Sequence, residues 1–242
     1  MRLSEIAAER DTPTQSSVLS PQSSDLRISA IERQERRQRY NVFVDGEFAL
    51  ALAPEVLAGS GLRTGEPVTA ERLRELAVED LRKRTLDAAL RLLAARPRSE
   101  AEVRQRLLRR GLPHDVIVDT IARLREYGYL NDAEFARFWV ESRSGANPRG
   151  RYVVRRELRA KGVDQETVDT ALEGLTEEAS AAKAARKKAR SLQGLEHRVF
   201  YTRLTGYLVR RGFGYEVVRQ TVNDLWKSMN GGPPDETDWS TE

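Results

Sequence analysis

The sequence predicts a mainly α protein: three tandem three-helix-bundle repeats in an elongated arrangement, preceded by a small N-terminal module that contains a β-hairpin. Three observations predict this fold class. Apolar residues recur at helical spacings of three and four from about residue 70 to about residue 228. Within that stretch, a glycine with the same apolar neighbours recurs three times. Ahead of it, two β-prone runs flank an Asp-Gly turn signal.

The two ends of the 242-residue chain differ from the middle in composition. Residues 1–26 are rich in Ser, Thr, Pro and Gln, and they have too few large apolar groups to offset the entropy of ordering. Residues 229–242 are short of apolar groups and acidic. We therefore expect disordered tails at both ends. The expected modules between them are a small α/β module at 27–70 and helical repeats at 71–130 (with a lead-in helix), 131–176 and 177–228.

The N-terminal module is predicted from a hairpin pattern. The runs Tyr40–Val44 and Glu47–Leu52 flank Asp45-Gly46, the residue pair that favours a type I′ turn. A lone hairpin is marginally stable in water, so another segment must cover its apolar face. The candidates are residues 28–31, or Val56, Leu57, Leu62 and Val68.

The internal repeat is centred on Gly111, Gly162 and Gly212, which are 51 and 50 residues apart. Six apolar columns align around these glycines without a gap. They are Val103, Val154 and Leu204; Leu107, Leu158 and Leu208; Leu112, Val163 and Phe213; Ile117, Val168 and Val218; Ile121, Leu172 and Val222; and Leu124, Leu175 and Leu225. Each repeat thus predicts a helix that ends at the glycine, a short turn and a second helix. A preceding helix is expected at 86–95, 133–142 and 177–192, and about 50 residues bury so little core that neighbouring repeats should pack together.

Carboxylates near the predicted helix starts are interpreted as caps. Ser99 and Glu102 fit a capping box, in which the Ser oxygen accepts a backbone N–H and the Glu side chain reaches back. Glu100, Asp132 and Glu134 occupy similar positions, where the helix dipole favours negative charge. We therefore interpret these acids as structural rather than catalytic.

An aromatic cluster lies where the first repeat passes into the second. It consists of Tyr127, Tyr129, Phe135, Phe138 and Trp139. We interpret it as a packed junction, with a base-stacking platform as the alternative.

Several function classes lack their sequence signatures. The chain has no cysteine, and its histidines, His114 and His197, are far apart, so we expect no zinc site and no cofactor. Phosphate-binding loops, dinucleotide-binding turns and hydrolase motifs are also missing, which argues against an enzyme. Because no run of apolar residues is long enough to span a membrane and no signal peptide is evident, we expect a cytoplasmic protein without a membrane partner.

Basic residues are the candidate functional groups. The net charge of +4 and the pI near 9.5 favour a polyanionic partner. Arg151, Arg155 and Arg159 form an i, i+4, i+8 row, and the third repeat has a similar row. The candidate partner-binding and DNA-binding residues are Arg149, Arg151, Arg155, Arg156, Arg159, Lys183, Arg186, Lys187, Arg190, Arg109, Arg110, Arg210 and Arg211. The alternative for the two rows is that they are simply solvated. The alternative for Arg109-Arg110 and Arg210-Arg211, which precede repeat glycines, is that their charge stabilises the C-terminal end of the helix dipole.

The stretch 88–175 resembles the RecX family of RecA modulators. The resemblance is carried by residues 98–103, by Leu107 with Gly111, and by the Gly-Tyr-Leu-Asn-Asp-x-x-Phe-Ala pattern at 128–136. It continues more weakly to Leu225, and the hairpin resembles the N-terminal extension of many members. About four fifths of the chain is covered.

The resemblance implies a monomeric, non-catalytic protein that lies along the groove of a RecA filament on single-stranded DNA. Bound there, it would inhibit ATP hydrolysis, strand exchange and filament extension in recombination and the SOS response. Duplex DNA would be a weaker partner. The alternative is a helix-turn-helix regulator that binds DNA directly, but the predicted recognition helices begin with Asp115, Glu166 and Glu216, whose charge opposes phosphates.

Overall fold

The structure is a computed structural model that describes residues 26–145 and 147–230. The chain forms two compact units, one up to Asp87 and one from Ala88 onward. The disorder expected at 1–26 and 229–242 concerns segments that lie almost wholly outside the described residues. At their inner edges, Leu26 opens the first strand and Asn230 ends the last helix.

The N-terminal unit is a four-stranded antiparallel sheet covered by helices. Its strands are β1 (Leu26–Arg33), β2 (Tyr40–Val44), β3 (Glu47–Leu52) and β4 (Pro67–Val68), in the order β3-β2-β1-β4. Positive φ angles at Asp45 (50°) and Gly46 (86°) are those of the predicted type I′ hairpin.

Both candidate segments cover the hairpin. Ile28 on β1 and Val56 on α1 (Pro54–Ser60) are buried with Val42 and Leu52 of the hairpin, and Leu76 on α2 (Ala70–Ala95) completes the core.

Asp80, a buried carboxylate on α2, binds residues adjacent to strands β2 and β3. Asp80 is 3% exposed, forms an ion pair of 2.7 Å with Arg39 and accepts the backbone N–H of Ala53 at 2.7 Å. The ion pair and the hydrogen bond together compensate for burying the charge.

The second unit contains the three predicted helical repeats. The first consists of the end of α2 with α3 (Glu100–Leu108) and α4 (His114–Glu126). The second consists of α5 (Asp132–Ser144), α6 (Arg151–Ala160) and α7 (Gln165–Glu173). The third consists of α8 (Glu177–Ala189), α9 (His197–Arg210) and α10 (Tyr215–Asn230). The fold class is therefore confirmed as mainly helical, with three tandem three-helix modules and a small strand-containing module before them.

The aligned columns form the cores of the repeats. Every residue in the six apolar columns is buried except Leu112 and Leu225, which are partly exposed. The glycines adopt left-handed conformations, with φ of 73°, 79° and 83° at Gly111, Gly162 and Gly212, and thereby end their helices. Within residues 26–145 and 147–230, no helix combines the length and apolarity that a membrane span requires.

Candidate polyanion-binding surface

The first and second repeats meet at the start of α3. The Ser99 hydroxyl accepts the backbone N–H of Glu102 at 3.2 Å, as the capping pattern predicts, and donates to the carbonyl of Lys161 at 2.5 Å. The second half of the predicted capping box was wrong. The Glu102 carboxylate binds Arg96 at 2.9 Å and Lys161 at 3.0 Å, because two cations offer stronger, charge-assisted hydrogen bonds than a backbone amide.

The pKa values of two carboxyl groups at this junction, Glu102 and Asp132, are shifted in opposite directions. Burial raises the pKa of Glu102, but hydrogen bonds and positive charge from Arg96 and Lys161 outweigh burial and lower it to about 2. Asp132 caps the start of α3 by accepting the N–H of Glu100 at 2.9 Å. Burial raises the pKa of Asp132, and the negative charge of Glu100 adds to that effect.

The aromatic cluster divides into a packed part and an exposed part. Phe135 is buried and contacts Trp139, over whose ring Lys161 and Arg143 each lie at 4.2 Å. The indole N–H donates to Glu157 at 2.8 Å. These side chains are therefore packed within the second repeat, and Lys161 links them to Glu102 of the first repeat. The remaining members, Tyr127, Tyr129 and Phe138, are exposed.

The second and third repeats meet through two glycines. The Gly150 N–H donates to the carbonyl of Arg211 at 2.9 Å, and a Cβ at Gly150 would lie 2.0 Å from the Gly212 carbonyl oxygen. A Cβ at Gly212 would in turn lie 2.4 Å from Cγ2 of Val153. Glycine is needed here for close backbone contact as well as for helix termination.

The predicted row on α6 is largely occupied by contacts within the protein. Arg151 donates to the carbonyl of Leu175 at 3.3 Å, and Arg155 forms an ion pair of 3.0 Å with Asp169. Arg159 is exposed but donates to the carbonyl of Val163 at 3.1 Å. These arginines help to hold their own repeat together.

The row on α8 has no such contacts with the residues that the structure describes. Lys183, Arg186, Lys187 and Arg190 are exposed and follow an i, i+3, i+4, i+7 pattern, so they form one continuous line that we call the α8 stripe. Within the described part of the chain, none of the four has a carboxylate partner. The opposite side of α8 is buried through Ala181, Ala184, Ala185 and Ala189.

The other candidate cations are dispersed. Arg211 donates to Asn147 at 2.6 Å and lies over the Tyr207 ring at 4.5 Å, and Arg109 donates to Gln105 at 3.0 Å. Arg149 is half-buried. Three further candidates are exposed: Arg110, Arg156 and Arg210.

Sequence reasoning missed the ionic network at the first junction. Its only signal was the capping pattern at Ser99 and Glu102, which carried no information about Lys161, about 60 residues away along the chain. Across residues 26–145 and 147–230, no three His, Asp or Glu side chains are grouped so that they could hold a metal ion.

Tandem three-helix repeats with a cationic stripe place this chain in the class of helical-repeat proteins. Family models match all four modules. They are the Regulatory protein RecX N-terminal domain at residues 26–69 and the first, second and third three-helix domains of RecX at 86–124, 131–172 and 176–222. The chain belongs to the RecX family.

Similar proteins agree with this assignment. The chain is 31% identical over 202 residues to Regulatory protein RecX of Bacillus subtilis, covering 82% of this chain and 76% of the relative. It is 36% identical over 167 residues to Regulatory protein RecX of Thermobifida fusca, covering 66% and 90%. A crystal structure of regulatory protein RecX superposes with a TM-score of 0.61 at 25% identity, covering 81% of this chain and 98% of the other.

Proposed function

We propose that this protein is a non-catalytic inhibitor of RecA recombinase in the cytoplasm. It binds along the RecA filament on single-stranded DNA and limits ATP hydrolysis, strand exchange and filament extension during recombination and SOS repair. The observation that carries the proposal is the match of all four modules to RecX domains from residue 26 to residue 222. RecA as the partner comes from the resemblance to the family.

The α8 stripe supports an anionic binding partner. Four cations without carboxylate partners can meet phosphates or acidic side chains without first breaking internal ion pairs. Binding to DNA phosphates would release counterions, so the affinity should fall as salt rises. Arg156 on α6 is a further exposed candidate.

Direct recognition of duplex DNA is the weaker alternative. The helices that follow the repeat glycines begin with exposed acids, Asp115 on α4, Glu166 on α7 and Glu216 on α10. Negative charge at that end of a recognition helix repels phosphates. We therefore expect duplex DNA to bind more weakly than single-stranded DNA.

The test is ATP hydrolysis by the cognate RecA on single-stranded DNA with increasing amounts of this protein. We expect the rate to fall and the protein to co-sediment with the filament. A variant with the α8 stripe neutralised (K183Q/R186Q/K187Q/R190Q) should inhibit less, while R155Q, on the occupied row, serves as the matched control. An unchanged rate at several-fold excess of the unmodified protein, without co-sedimentation, would overturn the proposal.

A further inference from the structure

Helices α8 and α10 run parallel, so their C-terminal ends lie at the same end of the third repeat. Their starts are joined by Glu177, whose carboxylate accepts the N–H of Gly214 at 3.2 Å, and the two helices pack along their length. At the other end, Trp226 of α10 contacts Phe200 near the start of α9, with ring centroids 5.1 Å apart. The chain thus leaves α10 at the end of the bundle where the α8 stripe finishes.

A groove runs between α8 and α10 beside this stripe. Its volume is about 420 Å³, and its apolar lining includes Ala182, Ala185 and Leu225. Arg186 belongs to both the groove and the stripe. Ser228, close to the end of α10, also lines the groove, which therefore extends toward the point where the chain continues.

The next segment has the complementary chemistry. Residues 231–242 lie outside the described part of the chain, and their sequence is GGPPDETDWSTE. The segment contains four acids, no Lys or Arg, and one large apolar residue, Trp239. Its Gly-Gly-Pro-Pro start is a strong helix-breaking signal, so the sequence favours a change of direction directly after α10.

We propose that residues 231–242 dock back onto the third repeat. The carboxylates of Asp235, Glu236, Asp238 and Glu242 meet the α8 stripe, and Trp239 enters the α8–α10 groove. The segment thereby competes with single-stranded DNA for the stripe. This competition rests on the proposed function, whereas the docking itself does not.

Both the length and the charge of residues 231–242 favour this segment as the occupant of the groove. Twelve extended residues span up to about 40 Å, whereas the stripe from Lys183 to Arg190 covers about 10 Å of helix. Four carboxylates match four cations that have no carboxylate partner among residues 26–145 and 147–230. At an effective concentration on the order of millimolar, even a weak contact is populated when both partners belong to one chain.

The α8 stripe distinguishes this groove from its counterpart in the second repeat. A groove of about 460 Å³ lies between α5 and α7, where Arg137 is accompanied by Glu141 and Glu166. The α8–α10 groove is lined in the same way, by Arg186 with Glu178 and Asp224, so the charge inside the two grooves is alike. The difference lies beside them, because α5 has no row of cations comparable to the α8 stripe, and its Arg143 is paired with Glu157. An acidic segment therefore finds its complement on the third repeat.

Docking is tested by comparing amide NMR spectra of the full chain with those of a chain that ends at Asn230, at low salt. We expect shifts for amides of α8 and the second half of α10, reversed when the peptide GGPPDETDWSTE is added to the shortened chain. Peptide with Trp239→Ala should bind more weakly, and K183Q/R186Q/K187Q/R190Q should abolish the shifts. The α5 amides serve as the internal control. Unchanged α8 and α10 amides at low salt would overturn the docking.

Competition is tested by the affinity of both chains for a fluorescent oligo-dT. We expect the shortened chain to bind at least about threefold more tightly at low salt, with the difference lost at high salt. Removing four acids changes the net charge, so the control is a full chain with residues 235–242 in scrambled order, which keeps the charge and displaces Trp239. Weaker competition from the scrambled chain supports the proposal, and competition equal to that of the natural order overturns the specific docking.

The two proposals can fail separately. If α8 amides shift but neither chain binds oligo-dT or inhibits RecA, the docking stands and the proposed function fails. If the stripe is needed for DNA binding but the segment changes neither the spectra nor the affinity, the docking fails and the proposed function stands.

Discussion

The second and third repeats have the same aligned core but use their cations differently. In the second repeat, Arg151 and Arg155 are bound by a carbonyl and a carboxylate of the same unit. Lys161 of that repeat also completes the ionic junction with the first repeat. In the third repeat, Lys183 and Lys187 have no carboxylate partner among the described residues. Two rows with similar spacing in the sequence therefore differ in the structure: the α6 row forms contacts within its repeat, and the α8 stripe is exposed and has no carboxylate partner among the described residues.

The position of each repeat along the chain accounts for part of this difference. The second repeat has a neighbour on both sides, through Ser99 with Lys161 and through Gly150 with Arg211. Lys161 and the backbone of Gly150 therefore belong to two junctions, while Arg151 and Arg155 bind within the repeat. Among residues 26–145 and 147–230, the third repeat contributes to one junction between repeats, and the cations of the α8 stripe stay exposed beside it.

The largest expected effect is at the junction between these two repeats. Gly212→Ala places a Cβ against Val153 at a φ of 83°, so overpacking and a left-handed Ala together should cost about 3–5 kcal/mol. Gly111→Ala is the matched control, because its φ is 73° but its Cβ would meet open space, and it should cost about 1 kcal/mol. Urea unfolding followed by helical circular dichroism measures both. Equal costs would show that the close contact at Gly212 contributes nothing.

The ionic junction at the other side of the second repeat is tested by Lys161→Met. The variant keeps an apolar stem beside Trp139 but removes the cation from Glu102, which is left partly buried with Arg96 alone. We expect a loss of about 2 kcal/mol in the free energy of unfolding. Lys187→Met, on the α8 stripe, should change stability by less than about 0.5 kcal/mol, since no ion pair is broken. Similar losses for both variants would remove the distinction between the two repeats.

The same junction should make stability depend on pH. The pKa of Glu102 is about 2 in the folded protein against an ordinary value of 4.5, so the folded state favours the charged form. Its stabilising contribution, on the order of 3 kcal/mol, is complete above pH 4.5 and is lost as the pH falls toward 2. The raised pKa of Asp132 acts in the opposite sense. The measurement is therefore the difference in unfolding free energy between the natural chain and Glu102→Gln. A difference that stays constant from pH 6 to pH 2.5 would contradict the assignment.

The smallest expected effects on stability come from single substitutions that compare the α6 row with the α8 stripe. Arg155→Gln removes a half-exposed ion pair with Asp169, and we expect a loss of about 0.3–0.5 kcal/mol with little change in binding to single-stranded DNA. Lys187→Gln should leave stability unchanged and weaken DNA binding in proportion to the lost phosphate contact. Fluorescence anisotropy and urea unfolding on the same two proteins provide the comparison. A larger loss of DNA affinity for Arg155→Gln would reverse the roles given to the two rows.

Much of the fold could be predicted because its signals are local. The columns around Gly111, Gly162 and Gly212 are separated by three to five residues on each side of the turn, and helical geometry converts that spacing into a buried face. Asp45-Gly46 likewise predicted the hairpin from a local signal, because only a few residue pairs adopt two successive positive φ angles.

The candidate surface was less predictable, because exposure of a cation depends on residues distant in sequence. The spacing of the α6 row was correct, yet Asp169 and the carbonyl of Leu175 lie on or after the next helix and become neighbours only when the bundle closes. The partners of Glu102 were misjudged for the same reason. A capping pattern describes a single helix end, while Lys161 belongs to another repeat.

The sequence by itself determined the repeat, the helix ends, the hairpin turn and the abundance of positive charge, because each follows from backbone preferences and from periodicities within a few turns. Only the tertiary structure decided which positive charges are neutralised. Ion pairing requires atoms within about 4 Å, and that proximity is created by packing between helices. The α8 stripe is thus distinguished from the α6 row by its neighbours in space, although the two rows have similar spacing in the chain.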